Sequence, residues 1–191
     1  NPLDKMVRNG EFKQLLKYKT PFVLGHDVAG VVTAVGAEVR GFKSGDEVYA
    51  RPRDGRIGTF AEQVALDEAD VALKPVSLSM EEAASVPLVA LAAWQMLVEV
   101  AKVKAGQKVL VHAGAGGLGS TVVQVAKHLG AHVATTVGPS DVEKVRALGA
   151  DETIDYTKEK FTERVAGYDV VLDSLGGDNL IKSLTVLKPG G

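Results

Sequence analysis

Three glycines spaced Gly114-x-Gly116-x-x-Gly119, with a fourth at Gly117, interrupt the run VLVHAGAGGLGSTVVQVAKHLGAHV at residues 109–133. A short apolar strand pattern enters the loop and an apolar helical pattern leaves it. This is the arrangement that holds the pyrophosphate of a dinucleotide. The first glycine permits a tight turn after the strand. The second lets backbone approach the phosphates, and the third lets the helix pack closely on the strand. The helix then offers unpaired N–H groups and its positive dipole end to the anion. Gly114, Ala115, Gly116, Gly117, Leu118 and Gly119 are therefore the candidate cofactor-binding residues. The alternative is a glycine-rich turn with no ligand. The strand before, the helix after and a second strand within a unit of roughly thirty residues favour the dinucleotide.

The second strand, HVATTVG at 132–138, ends where an acidic residue would hold the ribose 2′-hydroxyl of NAD. Gly138, Pro139 and Ser140 stand there instead, with Lys144 and Arg146 just beyond. A small residue, a hydroxyl and nearby cations suit a 2′-phosphate, so NADPH is favoured over NADH. Asp141 and Glu143 support the other reading, in which Lys144 and Arg146 are a solvated helix face.

Stepping outward from the loop, strands 108–112, 132–137, 153–155 and 169–173 alternate with helices 117–129, 140–148, 158–166 and 178–187. That alternation predicts an α/β fold with a Rossmann-type, doubly wound parallel sheet over residues 81–191. Ser79 and Glu82 form a capping-box pair that opens this half. The apolar run at 83–101 reads as a buried core helix, because Pro87, Gln95 and Glu99 break it below the length of a bilayer span. Residues 1–80 read as a small β-rich domain without a long helix, with strands at 26–36, 45–50 and 58–66.

Composition narrows the classes of function. The chain of 191 residues has formal net charge −2 with both signs interspersed, which gives no footprint for nucleic acid or an anionic membrane. It has no cysteine, so disulfides and thiolate metal sites are excluded. That is compatible with a cytoplasmic setting. The opening NPLDKM and closing LKPGG lead to the expectation that the physical molecule is longer than these residues.

Several segments together resemble one family. NPLDKMVRNGEF, LGHDVAGVVTAVGAEVRGFKSGDEVYA, GTFAEQVAL, EEAASVPLVALAAWQ, HAGAGGLG, LGADETIDYTKE, YDVVLDSLGG and LKPGG fall in order along nearly the whole chain. They are similar to the medium-chain dehydrogenase/reductase superfamily, in its zinc-free quinone oxidoreductase and alkenal reductase branch. The resemblance implies a GroES-like catalytic domain before the Rossmann domain, an active site in the cleft between them, and a homodimer in the full-length protein. It implies that Tyr156 lies beside a 2′-phosphate, the alternative being a packed aromatic. It also implies that Leu175 and Gly176, in DSLGG at 173–177, line the cofactor cleft. Ala92 stands where relatives commonly carry a cofactor-contacting threonine, so one polar contact is lost by that comparison.

The resemblance bears on metal too. Asn1 falls at the first position of the catalytic zinc ligands, His26 at the second, and the third region, LVALAAW, is aliphatic. A catalytic zinc needs three protein ligands, so no zinc is expected. His26 is then an active-site hydrogen-bonding group or a satisfied core histidine. Hydride transfer without zinc calls for an acceptor whose incoming charge spreads onto a conjugated oxygen, as in a quinone or an α,β-unsaturated carbonyl. The expected partner is a small electrophile of that kind. Asn1 is the candidate side chain near the reacting carbonyl, and Tyr49 orients substrate, donates a proton, or is only a barrel-rim aromatic. An enoyl reductase module of a multienzyme and a non-catalytic NADPH-binding protein are the alternative functions.

Overall fold

A computed structural model describes residues 1–191, which divide into two compact units, Asn1–Leu88 and Val89–Gly191. The division lies after Leu88. The helix α2 (Met80–Ala84) packs on β1 (Val28–Val31) and so belongs with the first unit.

The first unit opens on α1 (Pro2–Arg8), capped by the Asn1 side chain with proline at the first helical position. Its sheet is antiparallel, ordered β1, β2 (Glu47–Ala50), β3 (Val71–Leu73), with Tyr49 opposite Ala29 on one side and Ala72 on the other. The expected strand at 58–66 does not form. Only its start bonds another segment, Gly58 and Phe60 N–H to the Gly25 and Leu24 carbonyls at 3.0 and 2.9 Å, whereas β3, which the sequence pattern does not mark, pairs with β2. The strand expected over 26–36 is regular only at Val28–Val31. The capping box forms in full, with Ser79 and Glu82 each bonding the other's backbone N–H.

The run at 83–101 is not one buried helix. It breaks after Ala84, and Pro87 restarts it as α3 (Pro87–Trp94). A wider turn with i→i−5 bonding follows over Gln95–Val100. Ala93 and Leu97 are buried, but Leu91, Trp94 and Val100 are exposed. Apolar composition alone does not tell which side of a helix meets a core.

The second unit is a four-stranded parallel sheet in the order β6 (Glu152–Asp155), β5 (His132–Val137), β4 (Lys108–Val111), β7 (Val170–Leu172). The central strand β4 is buried on both faces, as parallel strands covered by helices are. Val109 and Val111 enter one core cluster with Val122, Val123 and Ala126 of α4 (Gly117–His128) and Val145 of α5 (Val142–Ala147). Leu110 faces the other way, into a cluster with Phe161 of α6 (Phe161–Arg164) and Tyr168. The charged helix expected over 158–166 is only this single turn. The last helix is α7 (Asp178–Ser183), which tightens over Leu184–Val186. The chain runs outward from β4 to β5 and β6, then returns to place β7 on the other flank. The strand order therefore switches at β4, and the loops after β4 and β7 flank a crevice, the place where open α/β sheets bind ligands.

Candidate functional site

The turn after β4 holds one non-glycine residue at positive φ. The left-handed residue is Ala113, at φ 54, and not Gly114. Gly114 is needed for close approach. A Cβ there would lie 2.9 Å from the Thr135 Cβ, on the strand whose Thr136 carbonyl accepts the Gly114 N–H at 3.1 Å. Gly119 is wedged harder still. Its Cβ would stand 2.8 Å from the Gly114 Cα and 2.9 Å from the Ala113 carbonyl carbon, both backbone atoms. Gly116 is the N-cap of α4 and supplies no side chain to cap it. The N–H groups that open the helix at Gly117, Leu118 and Gly119 therefore stay available at its positive end. Leu118 packs on the core. This cradle fits a pyrophosphate.

Of the other expected residues, Lys144 reaches the turn directly. The Lys144 Nζ donates to the Ala115 carbonyl at 3.0 Å, which brings a cation to the loop. Arg146 does not join it; its guanidinium pairs with Glu143 at 3.1 Å, on the helix surface. Tyr156 lies beside Gly138, where a Cβ would approach its Oη to 3.4 Å. Ser140 sits in the exposed turn Pro139–Asp141 between them in sequence. A cavity of about 640 Å³ joins Ala113, Thr136, Tyr156, Leu175 and Asn179. Leu175 and Gly176 are shaped by Asp173, whose Oδ1 accepts their N–H groups at 2.7 and 3.2 Å.

His112 was not singled out by spacing, yet it is buried at the end of β4 between Thr136 and Ser183, at 3.2 and 3.1 Å. Burial pushes its imidazole below the ordinary range, with the Asp173 carboxylate opposing that shift. No local pattern could have found it, because Ser183 is 71 residues away.

In the first unit, Asn1, Asp4, His26 and Asp27 form a polar cluster. The fully buried His26 places Nδ1 at 2.7 Å from Asp4 Oδ1, which also accepts the Gly25 N–H at 2.8 Å. The His26 Nε2 is buried with no partner. Asn1 donates its amide to Asp27 at 3.2 Å, and the other Asp27 oxygen accepts the Leu88 N–H at 2.7 Å. Tyr49 is not part of this cluster; it lines a largely apolar cavity of about 370 Å³ with Val28, Val48 and Val71. A zinc ion does not fit these residues. His26 Nε2 is one donor, Asp4 and Asp27 are already engaged, and no three His, Cys, Asp or Glu side chains converge anywhere in the chain.

A parallel sheet that switches order at β4, with a glycine turn feeding α4 there, defines a Rossmann-type unit of the dinucleotide-binding class. Residues 1–76 match the family described as alcohol dehydrogenase GroES-like domain, and residues 117–191 match that described as zinc-binding dehydrogenase. The chain belongs to the medium-chain dehydrogenase/reductase superfamily. It is 45% identical, over its whole length and 50% of the relative, to 2-methylene-furan-3-one reductase of Solanum lycopersicum. It is 42% identical, over the same shares, to NADPH-dependent alkenal/one oxidoreductase, chloroplastic, of Arabidopsis thaliana. The solved quinone oxidoreductase of Coxiella burnetii is 36% identical with a TM-score of 0.92, covering 100% of this chain and 61% of that one. The chain thus spans about half the length of the curated relatives it matches. No helix is long and apolar enough to cross a membrane.

Proposed function

We propose that the protein is an NADPH-dependent oxidoreductase that transfers hydride to a quinone or to the activated C=C bond of an enone or enal, without zinc. The single observation that carries this reading is the uncapped first turn of α4 at the sheet's switch point, with Lys144 bonded to the turn. The relatives named above, an alkenal/one oxidoreductase and a quinone oxidoreductase, support it.

Bound NADPH would supply the hydride and the reducing potential. The chain's own work is to place and to polarise. The N–H groups at Gly117, Leu118 and Gly119 hold the pyrophosphate. Lys144, Ser140 and Tyr156 take the 2′-phosphate, in a stretch with no acidic residue at the end of β5. Leu175 and Gly176, held by Asp173, line the cofactor cleft. In the first unit, Asn1 has one amide hydrogen beyond its bond to Asp27 and is the proposed donor to the reacting carbonyl. There it steadies the oxygen that receives the electron pair when hydride adds to the far carbon, and water supplies the proton. His26, with its free Nε2, and Tyr49 are the other proposed substrate-side groups.

The test follows coenzyme absorbance with a quinone and an enone, with NADPH and NADH in parallel and zinc content measured. Turnover with NADPH in preference to NADH, on metal-free protein, is the expected result. Lys144→Glu is expected to lower NADPH affinity about tenfold or more and NADH affinity much less, since it replaces a cation near a dianion by an anion. Equal losses for both coenzymes would remove Lys144 from the 2′-phosphate site, and stoichiometric zinc would end the metal-free reading.

A further inference from the structure

His112 carries a chain of hydrogen bonds whose direction can be worked out. The Ser183 hydroxyl donates to the Asn179 carbonyl at 2.8 Å, so its one hydrogen is committed. His112 Nε2, 3.1 Å from that oxygen, must therefore donate to it and carry the ring's proton. Nδ1 is then an acceptor, and the group facing it is the Thr136 hydroxyl at 3.2 Å, which must donate. The same Thr136 oxygen accepts the Ala113 N–H at 3.1 Å. The order is Ala113 N–H to Thr136, Thr136 to His112, His112 to Ser183, and Ser183 to the α7 backbone. Every member is satisfied with the imidazole neutral, and Phe161 closes the ring edge-on at 4.6 Å.

The first member of this chain is the left-handed residue of the glycine turn. Ala113 pays for φ 54 with strain that glycine would avoid, and such a conformation persists where its surroundings fix it. The Ala113 carbonyl accepts the Gly116 N–H at 3.0 Å, so the orientation of Ala113 sets the N-cap of α4. We propose that His112 is a positioning residue for the dinucleotide: acting through Thr136, it holds Ala113 in its left-handed conformation, anchors the turn to α7, and thereby aims the first-turn N–H groups of α4 at the pyrophosphate. This rests on the dinucleotide reading of the turn and adds to it the residue that sets the turn's geometry.

The experiment measures binding of NADPH and of adenosine 2′-monophosphate to the full chain and to three variants, with thermal unfolding alongside. Adenosine 2′-monophosphate has no pyrophosphate and so does not report on the turn. Thr136→Val keeps the side-chain shape and removes the hydroxyl. His112→Gln keeps a donor near the Nε2 position and loses the acceptor for Thr136. His112→Asn keeps an acceptor near Nδ1. Thr136→Val and His112→Gln are expected to weaken NADPH about tenfold while changing the monophosphate less than about twofold. His112→Asn is expected to recover most of what His112→Gln loses. If His112→Gln fails to fold, Thr136→Val alone decides between the two outcomes. The proposal is overturned if NADPH and monophosphate affinities fall together, if the Gln and Asn variants behave alike, or if NADPH binding is unchanged in all three. Failure of the unmodified chain to bind NADPH is a different result, and it overturns the dinucleotide reading itself.

Discussion

Gly119→Val is expected to weaken coenzyme binding about a hundredfold or more and to destabilise the second unit by about 3 kcal/mol. The reason is that the side chain would meet backbone and not a movable neighbour. The Gly114 Cα and the Ala113 carbonyl carbon lie 2.8 and 2.9 Å from the position of the added Cβ. To relieve that overlap α4 must move away from β4, and with it the N–H groups at its start. Two lost hydrogen bonds to a charged phosphate weaken binding by about a hundredfold or more. Gly117→Ala is the control. Its nearest neighbour is a Val89 methyl 4.0 Å away, so the same added carbon fits there. Denaturant unfolding and an NADPH titration on both variants check this, and retained NADPH affinity in Gly119→Val would show that the phosphates are held elsewhere.

The second large effect is expected at Asp4. Its carboxylate sits in the buried part of α1 and is the only partner of both the His26 Nδ1 and the Gly25 N–H. Asp4→Ala leaves two buried polar groups unsatisfied, at about 1–3 kcal/mol each, so a loss of about 2–5 kcal/mol from the first unit is expected. Asp4→Asn keeps one acceptor oxygen and should lose distinctly less. The measurement is equilibrium unfolding of both variants. An Asp4→Ala chain as stable as the unmodified one would mean that water replaces the carboxylate, and that the cluster does not hold α1 to the Gly25 turn.

What the sequence made legible was local. The glycine spacing, the strand patterns of β4, β5, β6 and β7, and the Ser79–Glu82 box each depend on residues a few positions apart, and each is present. The segment 58–66 shows the limit of that logic. Its alternation is real, but a strand needs a neighbour as well as a period, and β2 pairs with Val71–Leu73 instead. At the glycine turn the spacing marks Gly114, and the structure adds the reason a side chain is excluded there, the close approach of Thr135. The polar partners of the site were not legible at all. Asp4 meets His26 across 22 positions and His112 meets Ser183 across 71, and no pattern along one chain encodes such a meeting.

The bare cap at Gly116 has one more consequence. A helix whose opening amides have no side-chain cap is completed by an anion, so a dinucleotide bound there would add its binding free energy to the folded state by mass action. Occupancy and lifetime then become linked quantities. On the proposed reading, loss of the coenzyme would lower this unit's resistance to unfolding and proteolysis through the same helix end.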